Sequence, residues 1–259
     1  MNHQPKKKFG QNFLRDKNLL EKIVTNSHID GKDVIEIGPG QGALTQFLAV
    51  RASHLIAYEI DQSLKPFLNQ YNDKEHVSIL YEDFMTATLP QGTFHVVANV
   101  PYYITTPILF KILASEHIKT ASLMVQKEVC DRLLATPNQK AYNALSVLVQ
   151  YHAKAYRMMN VSRKLFFPIP NVDSAVLRIE KYQERKLEGK NEILLLSIVK
   201  AAFKQKRKTL VNNLHEAFGI PKQALIDFLA QHHLNAHIRA EQVDLQTFIN
   251  LTKDWPYDR

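Results

Sequence analysis

Short apolar runs alternate with helically spaced apolar positions along the first two thirds of the chain. Asp33-Val34-Ile35-Glu36-Ile37 predicts a strand, and so do residues 54–58 (HLIAY), 77–81 (VSILY), 94–98, 120–126 (TASLMVQ), 152–161 and 173–180, seven in all. Between them, apolar residues at 19, 20, 23 and 24 predict a helix over 17–27. Further helices are predicted at about 43–51, from Thr105-Thr106-Pro107 onward, and over 127–135 and 142–150. Residues 181–192 are charged, carry Gly189 and lack apolar periodicity, which marks a boundary. Beyond it the pattern is helical only, over 192–204, 206–218, 222–233 and 241–251, with Gly219-Ile220-Pro221 as a breaker. The expected organisation is an α/β domain over 1–184 and a small all-helical domain over 185–259. The first 16 residues read as a polar, basic arm anchored by Phe9, Phe13 and Leu14.

Composition narrows this picture. The chain has 259 residues, 45% of them hydrophobic, enough for a sizeable core without disulfides or metals. Cys130 is the single cysteine, so no intramolecular disulfide forms, which fits a reducing compartment. No stretch approaches the roughly 20 apolar residues of a membrane span. The start, MNHQPKKKFGQNF, has no apolar run after its lysines and does not read as a secretory signal. A cytoplasmic protein is expected. The eleven histidines are scattered and no Cys/His set has zinc spacing, so no metal is expected.

Charge points to a partner. The formal net charge is +8, which favours a polyanion. The basic residues cluster as Lys6-Lys7-Lys8 beside Phe9, and as Lys204, Lys206, Arg207 and Lys208 beside Phe203. Two clusters with flanking aromatics fit contacts to a nucleic-acid backbone better than an ordinary solvated face does.

The candidate chemistry lies at predicted strand ends. Strand 33–37 runs into Gly38-Pro39-Gly40-Gln41-Gly42, the turn of a nucleotide-binding βαβ unit. Its spacing is not the Gly-x-Gly-x-x-Gly of dinucleotide binders, and it lacks the Lys-Ser/Thr of a P-loop. Strand 54–58 ends in Glu59, followed by Asp61. An acidic residue about 20 positions beyond the glycines is placed to accept from ribose hydroxyls. Asp83, with Phe84 after it, follows strand 77–81. It reads either as an acceptor for an adenine amine or as a turn cap. Strand 94–98 runs into Asn99-Val100-Pro101-Tyr102. An Asn side chain carries both an acceptor and a donor, proline stiffens the turn, and tyrosine offers a flat face. The four fit a planar heterocycle with an exocyclic amine, which donates to the Asn99 side chain and the Val100 carbonyl while the ring stacks on Tyr102. Stacking uses the tyrosine ring and not its hydroxyl. The alternative is a tight turn capped by Asn99. The aromatic segment Lys164-Leu165-Phe166-Phe167-Pro168-Ile169-Pro170 is either core or the opposite face of that slot.

Glu36-Ile37-Gly38-Pro39-Gly40, Glu59, Asp83 and Asn99-Val100-Pro101-Tyr102, in this order, resemble the S-adenosylmethionine-dependent adenine-N6 methyltransferases. Lys8-Phe9-Gly10-Gln11-Asn12-Phe13-Leu14, residues 166–176 (FFPIPNVDSAV) and residues 203–210 (FKQKRKTL) are similar to the KsgA/RsmA family, over nearly the whole chain. The resemblance implies a Rossmann-like seven-stranded methyltransferase sheet with a helical C-terminal domain. It implies dimethylation of two adjacent adenines in the 3′-terminal hairpin of 16S rRNA within the small (30S) ribosomal subunit; a monomer is expected. It places Asn12, Leu14, Gly38, Gly40, Glu59, Asp83 and Asn99 on S-adenosylmethionine. It gives Asn99, Val100, Pro101, Tyr102 and Phe166 to catalysis, and Lys204, Lys206, Arg207 and Lys208 to RNA. Val100 stands where the family more often has Leu, but only its carbonyl is used. Phe167 occupies a position often smaller in the family, so Phe166 is the expected stacking partner. The related Erm methyltransferases of 23S rRNA share the Gly-Gln-Asn-Phe arm and the Asn-x-Pro-Tyr motif. A non-catalytic RNA-binding assembly factor on the same fold is the alternative from another class.

Overall fold

The computed structural model describes Lys6 and residues 10–257. Lys7, Lys8 and Phe9, part of the expected N-terminal basic cluster, lie outside the described residues. In chain order the elements are β1 (Phe13–Leu14), α1 (Lys17–Asn26), β2 (Asp33–Ile37), α2 (Thr45–Arg51), β3 (His54–Tyr58), α3 (Lys65–Leu68), β4 (Val77–Leu80), β5 (Phe94–Asn99) and α4 (Thr105–Ala114). There follow β6 (Ile118–Gln126), α5 (Lys127–Leu133), α6 (Ala144–His152), β7 (Ala153–Val161), β8 (Phe166–Phe167), β9 (Ser174–Lys181), α7 (Lys190–Ala202), α8 (Leu210–Phe218), α9 (Lys222–Gln231) and α10 (Leu245–Lys253).

The predicted sheet forms with seven strands in the order β4-β3-β2-β5-β6-β9-β7. The run β4-β3-β2-β5-β6 is parallel, and β9 pairs antiparallel with β6. Central parallel strands are covered on both faces, so they read as nearly unbroken apolar runs. Val34, Ile35, Val96, Val97, Leu123 and Val125 are fully buried accordingly. The chain leaves β2 for β3 on one side and returns to β5 on the other, which makes the β2/β5 edge a topological switch point, where open α/β sheets bind ligands. A second sheet was not foreseen: β1 pairs antiparallel with β8, Phe13 opposite Phe167 and Leu14 opposite Phe166. Two-residue strands carry too little pattern to be seen in sequence.

The chain divides into two compact units. One comprises residues through Cys130 together with Ala155–Lys181, and the other Asp131–Lys154 with the chain from Tyr182 on. This corrects the expected division at 184/185, because 131–154 join the helical unit. The reason is packing: Ala135, Tyr142, Val147 and Tyr151 are buried in one cluster with Leu195, Ile198, Leu214, Leu229 and Phe248, and the Tyr142 hydroxyl donates to the Val243 carbonyl at 2.9 Å. Within this unit α8 starts at Leu210, later than the predicted 206. The Thr209 side chain caps it by accepting from the Asn212 N–H. Lys204 to Lys208 therefore lie in the turn before the helix. Among the described residues, no helix is long and apolar enough to cross a membrane.

Candidate active site

Parallel pairing brings the carboxyl ends of β2, β3, β4 and β5 to one edge of the sheet. A cavity of about 260 Å³ opens there, lined by residues that follow each of those strands and by Gly10 to Leu14 of the arm. After β2 the chain turns through Gly38 and Gly40, with φ of +70° and +61°. A Cβ on Gly40 would sit 2.9 Å from the Phe13 ring, so glycine both permits the turn and lets the arm close on it. The helix after the turn begins at Thr45, two residues later than predicted.

Glu59 emerges from β3 and is only 4% exposed. Its carboxylate accepts from the Gly40 N–H at 3.0 Å and the Asp61 N–H at 2.8 Å. Burial raises its pKa while these bonds oppose the rise. Each oxygen keeps a lone pair for a ligand hydroxyl. Asp83 lines the cavity after β4, and its Oδ1 also accepts from the Met85 N–H at 2.8 Å. The turn-cap reading of Asp83 is thus true, and it leaves the second oxygen for a ligand. Phe84 is buried edge-on against Tyr58 at 5.5 Å and borders the same cavity.

Two carboxylates had no assigned role in the sequence. Glu36, inside β2, is 1% exposed and lines the cavity. Its Oε2 has no hydrogen-bond partner among the described residues. Burial pushes its pKa up to about 8, with the charge of Glu59 adding to the rise and the Thr45 hydroxyl opposing it. A buried orphan oxygen at a cavity wall calls for an incoming donor. The available signal was a charged residue within an apolar strand, since glutamate is seldom fully buried. Asp61 accepts from Lys6 Nζ at 2.7 Å, Gln11 Nε2 at 3.0 Å and Ser63 Oγ at 2.7 Å. Burial favours its neutral form, but the bonds from Lys6, Ser63 and Gln11 prevail and hold its pKa at about 2. Asp61 thereby ties the arm beside the cavity.

All of Asn99, Val100, Pro101 and Tyr102 line the cavity. Asn99 Nδ2 donates to the Asn12 carbonyl at 3.1 Å. This bond spends a donor of the amide on the arm and leaves the amide oxygen as the acceptor on offer. The Val100 N–H donates to the Met124 carbonyl at 3.3 Å, and the Pro101 carbonyl accepts from Ile104 N–H at 3.2 Å, which fixes the turn. The Tyr102 hydroxyl is bonded to Ser174 Oγ at 2.6 Å, and burial raises its pKa. The hydroxyl therefore anchors the ring beside the cavity. Asn12 and Leu14 also line the cavity.

Phe166 requires correction. It is 3% exposed, lies outside the cavity lining and packs in the core with Leu14, Met124 and Val176. Side chains alternate along a strand, so burying Phe166 turns Phe167 outward, where it is 47% exposed. In the helical unit, Lys208 forms an ion pair with Glu216, and Lys206 Nζ donates to the Lys140 carbonyl at 3.1 Å. Lys204 and Arg207 are exposed in the same turn.

A glycine turn and a buried carboxylate at the switch point, with a fixed amide-and-aromatic loop after the next strand, place the chain in the class of Rossmann-like methyltransferases. The chain belongs to the ribosomal RNA adenine dimethylase family, whose model matches residues 2–253. It is 48% identical to ribosomal RNA small subunit methyltransferase A of Onion yellows phytoplasma, over 98% of this chain and 97% of that protein. Identity to the Streptococcus gordonii protein of the same name is 43%, over 95% and 90%. A dimethyladenosine transferase from Plasmodium falciparum superposes with a TM-score of 0.82 at 26% identity, covering 92% of this chain and 95% of that one. The 23S rRNA methyltransferase ErmE superposes at 0.75 with 27% identity, covering 93% and 98%.

Proposed function

We propose that this enzyme dimethylates the N6 amines of two adjacent adenines in the 3′-terminal hairpin of 16S rRNA, on the small ribosomal subunit, with S-adenosylmethionine as methyl donor. The observation that carries the reading is the Asn99 amide, held by the arm so that its oxygen is offered to the cavity beside Tyr102. The cavity also fits the cofactor. The orphan Glu36 oxygen suits an ammonium group, Glu59 suits a pair of ribose hydroxyls, and Asp83 suits an adenine amine. Gly38 leaves room for the ligand, Gly40 lets Phe13 of the arm close on the turn, and Asn12 and Leu14 close over the ligand. The bound cofactor supplies an electrophilic methyl group on a sulfonium.

The chain's own task is to prepare a poor nucleophile. An adenine amine is planar because its lone pair is delocalised into the ring. Asn99 Oδ1 and the Val100 carbonyl accept its hydrogens, and this favours a pyramidal nitrogen whose lone pair leaves the ring plane. Fixing that orientation before reaction removes part of the barrier. The target base must first leave its stack, which costs a few kcal/mol. Stacking on Tyr102 offsets this by about 1–3 kcal/mol. Lys204 and Arg207 supply phosphate contacts from the helical unit. The enzyme works as a monomer in the cytoplasm, where its substrate is assembled.

The test is methylation of unmodified small subunits with labelled cofactor, followed by mapping of the labelled nucleotides. Label on two adjacent adenines of 16S rRNA is the expected result. No label on small subunits but label on 23S rRNA supplied in a parallel reaction would assign the Erm reaction instead, and cofactor-independent RNA binding without label would assign an assembly factor.

A further inference from the structure

The β1/β8 ribbon presents an aromatic and basic platform at the rim of the cavity. Phe13 and Phe167 are directly opposed across the ribbon, so their side chains share one face. Phe13 lines the cavity and touches the glycine turn. Phe167 is its exposed neighbour on that face. The Arg15 guanidinium lies over the Phe167 ring, 4.1 Å from its centroid. Arg15 is itself exposed, and its backbone is fixed by the N–H donating to the Leu165 carbonyl at 3.2 Å. The same loop leaves Ile169 62% exposed. The exposed guanidinium, backed by the ring beneath it, offers a planar cationic face on which a further flat group can stack.

We propose that the Arg15–Phe167 pair is a nucleotide subsite that stacks the base next to the target adenine. The proposal rests on the RNA-methylating function given above. Extruding one base strips its neighbour of a stacking partner, and a planar cation backed by a ring replaces that partner. Both members tolerate any base, because every base offers a π-face. The guanidinium adds a charge complementary to the flanking phosphate. The position is suited to this use. The platform and the target slot are joined through Phe13 and the arm, and Asn12 of that arm also holds Asn99. When the target is the first adenine, the neighbour stacked here is the second, so the subsite orders the two methylations.

The experiment uses the full chain and reconstituted small subunits, with steady-state kinetics and mapping of label at each adenine. Phe167→Ala and Arg15→Ala should each raise KM for subunits on the order of tenfold, with kcat and S-adenosylmethionine affinity near wild type. Phe167→Tyr keeps the ring and should restore KM, whereas Arg15→Lys keeps charge without the plane and should not. Both residues are exposed, so melting temperatures should match wild type. Subunits carrying an abasic nucleotide beside the target should react equally with wild type and Phe167→Ala. Unchanged KM in Phe167→Ala, or a KM defect that persists undiminished on the abasic subunits, would overturn the subsite. Failure of the wild-type enzyme to label small subunits would overturn the underlying function instead.

Discussion

Asn99→Ala isolates the chemical step. The substitution removes the amide oxygen offered to the target amine, together with the Nδ2 bond to the Asn12 carbonyl at 3.1 Å. Losing one preorganised transition-state contact costs on the order of 10²–10³ in rate, about 2.7–4 kcal/mol. Losing a part-buried neutral hydrogen bond costs only about 0.5–1.5 kcal/mol of stability. In a chain of this size that is a fall of about 2–4 °C in melting temperature for each kcal/mol. The two effects differ enough to be told apart. Single-turnover transfer to small subunits, with the folded fraction checked by calorimetry, should show a slow but folded enzyme. RNA affinity should hardly change, because phosphate contacts set it. Asn99→Asp keeps an acceptor but cannot donate to Asn12, so its rate should fall between the alanine variant and wild type. A folded Asn99→Ala enzyme that transfers methyl at the wild-type rate would reduce Asn99 to a turn-forming residue and refute the acceptor role.

Further outcomes follow from the carboxylates and the basic turn. The unfolded chain loses the Glu36 proton near 4.5 and the native state only near about 8, so stability should fall as pH rises through that window. Glu36→Gln should flatten the fall; parallel wild-type and variant melting curves across it would contradict the buried, protonated state. Asp61→Asn removes the charge that binds Lys6 and weakens the grip on Gln11, so residues 10–14 should exchange amide hydrogens faster and S-adenosylmethionine should bind more weakly. Equal protection in both proteins would show that Asp61 does not hold the arm. Tyr102→Phe should slow transfer by a smaller factor than Tyr102→Ala, because it keeps the ring but frees it from Ser174; rates equal to wild type would show that the hydroxyl does no positioning. Neutralising Lys204 and Arg207 together should weaken RNA binding and make its log–log salt slope shallower by about 1.5, whereas an unchanged slope would leave both as solvated surface.

The strand ends were legible because they obey a strong rule. Buried parallel strands are apolar throughout, so each polar residue that ends one stands out, as Glu59, Asp83 and Asn99 do. Gly40 was legible because turn chemistry is local. What was lost depended on contacts between distant residues. The alternation that buries Phe166 and exposes Phe167 comes from pairing with the arm, about 150 positions away in sequence, and a two-residue strand has no period to read. Glu36 stands out in the sequence as a charge inside an apolar strand, but only the fold sets its unpartnered oxygen against the cavity. Residues 131–154 carried helical pattern that fits either unit, and only the burial of Val147 and Tyr151 against Leu195 and Ile198 assigns them. The basic turn reads as helix because Lys, Arg and Gln are good helix formers, whereas Thr209 as N-cap starts the helix only after it.

The arm links the two halves of the site, and this constrains how two methylations can occur. Lys6 and Gln11 hold it to Asp61 beside Glu59, Phe13 rests on Gly40, and the Asn12 carbonyl fixes Asn99. In the function proposed above, a cofactor under the arm and a base against Asn99 would therefore share one strap. If the arm lifts to exchange cofactor between transfers, Asn99 loses the partner that aims its amide, and the slot relaxes each time. The second transfer must then rebuild the acceptor geometry around an amine that already carries a methyl group and has a single hydrogen left to donate. With one hydrogen, the amine can satisfy either Asn99 Oδ1 or the Val100 carbonyl and not both. The second step should accordingly be slower than the first, and Asp61→Asn, by loosening the strap, should widen that gap. Time courses that resolve mono- from dimethyladenine would read it directly. Equal rates for both steps in both proteins would show that arm and acceptor are not coupled.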